Sequence, residues 1–146
     1  MALSKKGRYW YGTENSDIQV EIARFSQLNK YEAVKFSAAS CVCGGDTFKL
    51  ESDEDAGAAR RICTQCSAVK LMGDSATYAS EATFDNHVCE CDGEVFSITS
   101  GVALYQDSND IRWYYIGCHC KKCNLVGVFA HWKCECDDAD AFLAET

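Results

Sequence analysis

The sequence predicts a small, mainly β fold of the α+β kind, with an N-terminal helix followed by two copies of one cysteine-bearing hairpin unit. Three observations carry this expectation. The stretch "FSAASCVCGGDTF", residues 36–48, returns in altered form as "FDNHVCECDGEVF", residues 84–96. Each places a Phe five residues before a Cys-x-Cys pair, a Gly two residues after it, and a second Phe at the end. Each copy then runs through aromatic and β-branched residues into a Cys-x-x-Cys pair, the composition of half-buried strands. Finally, "ENSDIQVEIARFSQLNKY" sets Ile18, Ile22 and Phe25 on one helical face.

Superimposing Cys41, Cys43, Cys63 and Cys66 on Cys89, Cys91, Cys120 and Cys123 also superimposes Phe36 on Phe84, Gly45 on Gly93, Phe48 on Phe96 and Leu50 on Ile98. "SAVKLM" then falls on "NLVGVF". So many matched apolar and glycine positions point to duplication of one supersecondary unit. The chain divides accordingly. Residues 1–35 form a helical or strand segment: Ser16 and Gln19 are spaced as a capping box, while Ile18, Val20 and Ile22 also alternate as in a strand. Residues 36–72 hold the first unit, with strands at "TFKLES" and "RRIC" and a turn at "SDEDAG". Residues 73–83 read as a linker or short helix. Residues 84–130 hold the second unit, whose hairpin is longer and turns at "QDSND". Residues 131–146 read as an acidic tail with helical composition in "DDADAFLAET".

A chain of 146 residues with 47% hydrophobic content suits one domain or two small lobes. It has no apolar run approaching the roughly 18 residues of a membrane span, and "MALSKKGRYWYG" is too polar for a secretory core, so a soluble cytoplasmic protein without a membrane partner is expected. Eleven cysteines in that setting imply metal ligation before disulfides. The net charge of −8 opposes a general nucleic-acid surface and favours a basic protein partner.

Two short-spaced cysteine pairs brought together by a hairpin present four thiolates at tetrahedral corners, which suits Zn²⁺. Gly44 and Gly45 are placed to supply the positive-φ turn that aims N–H groups at sulfur. Cys41, Cys43, Cys63 and Cys66 make one such set; Cys89, Cys91, Cys120 and Cys123 make the other. Reduced core cysteines are the bland alternative, and redox chemistry at Cys63-x-x-Cys66 would need a metal-free pair. Across residues 36–72 and 84–129 the chain resembles the zinc-ribbon class, although its first knuckles are Cys-x-Cys where the usual ribbon has Cys-x-x-Cys. The resemblance implies a scaffold holding two zinc ions per chain, and no particular activity.

Cys118, Cys134 and Cys136 remain, with His87, His119 and His131 beside cysteines. They suggest either free thiols and hydrogen-bonding imidazoles or a third, open metal site built with His119 or His131. "RWYYIG" would show Trp113 and Tyr115 on one strand face and Arg112 and Tyr114 on the other, offering an exposed aromatic pair or, alternatively, core. Arg60-Arg61 and Lys121-Lys122 are placed to balance anionic metal centres. No phosphate-binding Gly-rich loop, G-x-S-x-G elbow, H-E-x-x-H or zinc-deaminase signature is present. The expectation is a non-enzymatic structural-zinc protein acting as an acidic protein-binding module, of the inhibitor or immunity kind. A metal-dependent enzyme using the third site, and single-stranded nucleic-acid binding through the aromatic strand, are the alternatives.

Overall fold

The computed structural model describes residues 3–146. Residues 1–2, counted in the N-terminal segment, lie outside the described residues. In chain order the elements are β1 (Ser4–Lys6), β2 (Tyr9–Tyr11), α1 (Ser16–Leu28), β3 (Ala33–Ala38), β4 (Phe48–Asp53), β5 (Ala58–Cys63), β6 (Val69–Leu71), α2 (Ser75–Tyr78), β7 (Asp85–Asn86), β8 (Phe96–Leu104), β9 (Ile111–Cys120), β10 (Leu125–Cys136) and α3 (Ala139–Ala144). The strands form one antiparallel sheet in the order β1-β2-β10-β9-β8-β4-β5-β6, with β3 also on β8 and β7 also on β4.

Beyond the β1-β2 hairpin, the order mirrors about the junction of β8 and β4. Each cysteine set belongs to three consecutive strands, β4-β5-β6 or β8-β9-β10, and the two trios meet where Phe48 pairs with Phe96. The segment leading into each set then crosses to the other trio. Ala38 and Ser37 pair with Thr99 and Ser100 of β8, while Asn86 and Asp85 pair with Glu51 and Ser52 of β4. The Ala39 N–H donates to Ile98 O at 2.8 Å, and the His87 N–H donates to Leu50 O at 2.9 Å. These pairs match position for position under the alignment of the two cysteine sets. The backbone polar groups of both first strands are thereby satisfied from the opposite half.

The long second hairpin builds the core. Along β9, Tyr114, Ile116, Cys118 and Cys120 enter one apolar cluster with Phe48, Phe96, Trp132 and Phe142, while Tyr115 and Trp113 enter the other, under α1. Tyr114 and Tyr115 are almost wholly buried on opposite faces. The exposed aromatic pair considered from the sequence is therefore absent. β9 runs between β8 and β10 with a layer on each face, so its rings serve packing.

α1 presents Ile18 and Ile22 to this sheet over Gly101 and Gly117. A Cβ at Gly117 would lie 2.6 Å from Ile18 Cγ2, and one at Gly101 would lie 2.8 Å from Ile22 Cγ2, so the glycines let the helix seat closely. The expected capping box is not formed. Asn15 is the N-cap without a side-chain capping bond, and it is the buried Asp17 carboxylate that accepts the Thr13 and Glu14 N–H groups, at 2.9 and 3.2 Å. An acid inside the first turn can reach back to these loop donors and complements the helix dipole there.

Residues 131–146, read as an acidic tail with helical composition, carry a strand end and a helix. Residues 131–136 complete β10, and α3 docks Ala139, Phe142 and Leu143 into the core. Lys35 pairs with Asp140 at 2.9 Å, and Arg61 donates to Thr146 O at 2.9 Å. Residues 75–78 and 79–81 form a short helix and a 3₁₀ turn, as the linker composition allowed.

Replacing Gly117 by Ala should cost about 1–3 kcal/mol through overpacking against Ile18 and Ile22. Gly127→Ala, whose nearest neighbour would lie at 3.5 Å, should change stability little. Urea denaturation midpoints at unchanged slope check the pair, and equal effects would mean that α1 does not seat on Gly117.

Candidate metal centres

Each cysteine set is assembled from a turn entering the first strand of its trio and a turn leaving the second strand. At the entering turn, the Cys41 N–H donates to Gly45 O and the Gly44 N–H to Cys41 O, at 2.8 and 2.9 Å. The Cys89 N–H donates likewise to Gly93 O and the Asp92 N–H to Cys89 O, both at 2.8 Å. Both turns need a left-handed residue, Gly44 at φ +91° and Asp92 at φ +70°. At the leaving turn, the Ser67 N–H donates to Cys63 O and the Asn124 N–H to Cys120 O, again with φ positive at Ser67 and Asn124.

Gly45 was expected to share the positive-φ role, but its use is different. A Cβ there would sit 3.1 Å from the Cys63 sulfur and 3.3 Å from the Cys43 sulfur. At Gly93 the corresponding distances are 3.1 Å to Cys120 and 3.2 Å to Cys91. The matched glycines clear space for sulfur.

Two four-cysteine clusters result. All four Sγ atoms within each lie within 4.8 Å of one another. Cys41 and Cys66 approach to 3.5 Å and Cys43 and Cys63 to 3.6 Å. In the other cluster Cys89 and Cys123, and Cys91 and Cys120, approach to 3.6 Å. A tetrahedral metal with bonds of about 2.3 Å to sulfur would set these edges near about 3.8 Å, so either cluster could hold a metal ion after minor expansion. In the first, Cys41 and Cys63 are buried and Cys43 and Cys66 are exposed; in the second, no sulfur-bearing residue is fully exposed. The β1-β2 hairpin contributes to that cover, with the Tyr9 hydroxyl donating to Glu90 at 2.6 Å beside Cys89.

The thiols are electrostatically uneven. The Cys66 N–H, with that of Gln65, outweighs desolvation and lowers Cys63 to about 6. The Gly45 N–H pulls Cys43 down, but desolvation and the neighbouring sulfurs carry it up to about 12. Desolvation pushes Cys91 up, yet the Gly93 N–H and the three thiols around it bring it to about 7. Cys89 and Cys123 are raised, chiefly by desolvation. The Ala68 N–H pulls Cys66 down, but the Cys41 and Cys63 thiols together with desolvation leave it raised. Cys41 is lowered, first by the Cys43 N–H, so two thiols of the first cluster ionise more easily and two resist, whereas in the second Cys91 ionises more easily and Cys89 and Cys123 resist, the distribution expected of sulfurs too close to carry four charges without a cation.

The remaining cysteines and the histidines do not converge on a third centre; among the described residues only the two cysteine clusters meet the geometry. Cys118 is buried in the core. Cys134 is buried with its Sγ 3.8 Å from Asp74 Oδ2, and Cys136 is partly buried at the end of β10. His119 is held between Asn15 and Asn124 at 3.1 and 3.0 Å. His131 Nδ1 accepts from the Trp113 indole at 3.1 Å, and His87 Nε2 lies 2.6 Å from Ser52 Oγ. The basic dipeptides divide. Lys122 donates to Cys91 O at 3.3 Å, whereas Arg60 pairs with Glu51 at 2.6 Å. Arg61 lies over the Phe48 ring and donates to Ser40 O and Thr146 O, so it secures chain segments and not a metal charge.

These features define a mainly β protein with two tetrathiol clusters able to hold metal ions. Comparison with known proteins finds no matching family model, no matching curated protein and no matching solved structure. No helix among the described residues is long and apolar enough to cross a membrane.

Two outcomes test the clusters. Gly45→Ala and Gly93→Ala should each weaken metal retention at their own cluster, measured by competition with a chelator; unchanged retention would mean the missing Cβ is irrelevant to sulfur placement. Loading metal at pH 7 should release at least the two protons per cluster held by the raised thiols, Cys43 and Cys66 or Cys89 and Cys123. Because protons compete for these sulfurs, loading should weaken as pH falls. A pH indicator in weak buffer reads the release, and none would show that the thiols are already ionised.

Proposed function

We propose that the chain is a non-enzymatic structural-zinc protein, built by duplication of a zinc-ribbon-like unit, whose acidic surface binds a basic protein partner. The observation that carries the metal assignment is the paired tetrathiol geometry, since four thiolates at near-tetrahedral separations suit Zn²⁺ above harder ions. Duplication is supported by the matched turns, the matched glycines beside sulfur and the reciprocal pairing about Phe48 and Phe96. The partner reading rests on charge. The chain carries −8 before metal, and two Zn²⁺ ions bound by eight thiolates add four more negative charges. The alternatives draw less support, since no third metal-binding group assembles among the described residues and Tyr114 and Tyr115 of the aromatic strand are buried.

Elemental analysis should find two zinc ions per chain, falling to one in Cys63→Ser and in Cys120→Ser. Because each unit's leading strand lies on the other unit, Cys63→Ser should also speed amide exchange in residues 96–103 of the opposite trio. Iron at equal stoichiometry, unchanged zinc in both variants, or exchange confined to residues 41–71 would each overturn the part it tests. A partner captured from the native host should be basic and should release at about 1 M salt, where the Debye length shrinks to about 3 Å. An acidic or salt-resistant partner would sink the charge argument.

A further inference from the structure

The two clusters have the same ligands under different cover. Val42, between Cys41 and Cys43, is fully exposed, whereas its counterpart Glu90, between Cys89 and Cys91, accepts from the Tyr9 hydroxyl of β2 at 2.6 Å. The two turns of the second cluster are also joined to each other, because Lys122 donates to Cys91 O at 3.3 Å. Cys89 and Cys120 lie within the larger apolar cluster, and Cys91 and Cys123 pack against it with Tyr9 and Tyr11. Of the first set, Cys41 and Cys63 belong to that apolar cluster, while Cys43 and Cys66 are exposed.

We propose that the first cluster is an exchangeable metal site, passing its ion to and from soluble multidentate chelators, and that the second keeps its ion. The inference rests on the metal-binding reading and adds what each site does with its metal.

The reason lies in how four thiolates can be displaced. Losing every ligand at once has no compensation, so rapid release requires an incoming donor to replace them one at a time. In the first set a donor can approach Cys43 and Cys66 from solvent. Each of these sulfurs that leaves is replaced by a donor atom of the chelator and takes up a proton from solvent, so the exchange needs no oxidant or reductant. Cys41 and Cys63 are held in the core and retain the ion until the chelator can withdraw it. The exposed pair takes one cysteine from the entering turn and one from the leaving turn, so both turns can open outward without disturbing the packing beneath. Such solvent-facing segments open at low cost. In the second set the corresponding Cys91 and Cys123 are only partly exposed, and the contacts of Tyr9 and Lys122 oppose the same opening.

Release of zinc from the doubly loaded protein to pyridylazoresorcinol, followed by absorbance, tests the inequality. It should run in two equal phases, the faster at least about tenfold the slower, which is the lower end of what groups around the ligands contribute to metal retention. NMR identifies the phases: the Gly45 amide signal should change in the fast one and the Gly93 amide signal in the slow one. Tyr9→Ala should speed the slow phase, with an unchanged fast phase as the check that the fold is retained. A Gly93 signal that changes first, or a slow phase unmoved by Tyr9→Ala, would overturn the proposal. Two zinc ions that leave in a single phase would sink the inequality alone, whereas fewer than two ions bound would sink the metal reading beneath it.

Discussion

Neither β4 nor β8 completes its hydrogen bonding within its own three strands. Each takes the segment before the other cysteine set along its outer edge, and the two strands touch directly only at Phe48 and Phe96. An exposed edge in either place would leave unpaired N–H and C=O groups beside an apolar core. The exchange removes both edges at once and makes the halves depend on each other. It also buries Phe48 and Phe96 completely, at the centre of the larger apolar cluster. The sheet is continuous because this exchange joins the trios.

Each cluster closes at a point where that exchange would otherwise be weak. The cysteine turns stand immediately between the crossing segment and the strand that receives the other crossing segment, so a metal there would fix the angle at which the chain changes partner. β7, with two residues, has few ladder bonds to hold it. A metal beside it would supply order that so short a strand cannot. The two clusters nonetheless differ in surroundings. The second abuts the β1-β2 hairpin and the long strands, while the first has two exposed cysteines and the exposed Val42 at its tip. Equal ligand sets therefore occupy unequal environments.

The two four-cysteine clusters were legible in the sequence because thiols, glycines and phenylalanines recur at matched spacing, and each has a local job: gathering sulfur, clearing space for it, or filling the core beside it. The helix was legible for a similar reason, through the spacing of Ile18, Ile22 and Phe25. Crossing of the leading segments was not, since "FSAAS" and "FDNHV" carry no sign of which strand they join, and antiparallel pairing within a unit looks equally acceptable. Whether "RWYYIG" is exposed or core was left open by the sequence for a related reason. A strand covered on one face and a strand covered on both differ in what packs over them, and here α1 and α3 arrive from opposite ends of the chain. Asp17 was missed as the helix-entry acceptor because its neighbours Ser16 and Gln19 fit a commoner pattern.

The unequal hairpins also set the acidic β4–β5 turn beside the end of β10. β4 and β5 have six residues each and turn at Glu54, whereas β10 has twelve and continues to Cys136. The short hairpin thus ends beside the flank of the long strand, and its turn faces Trp132 and Glu135 across a gap. In the second half the longer hairpin carries α1 on one face and meets α3 on the other, so its residues are committed to packing. The shorter turn keeps Glu54 and Asp55 at the surface. The acidic surface of that turn lies apart from both four-cysteine clusters, because the full run of β4 and β5 separates it from the sulfurs of the first.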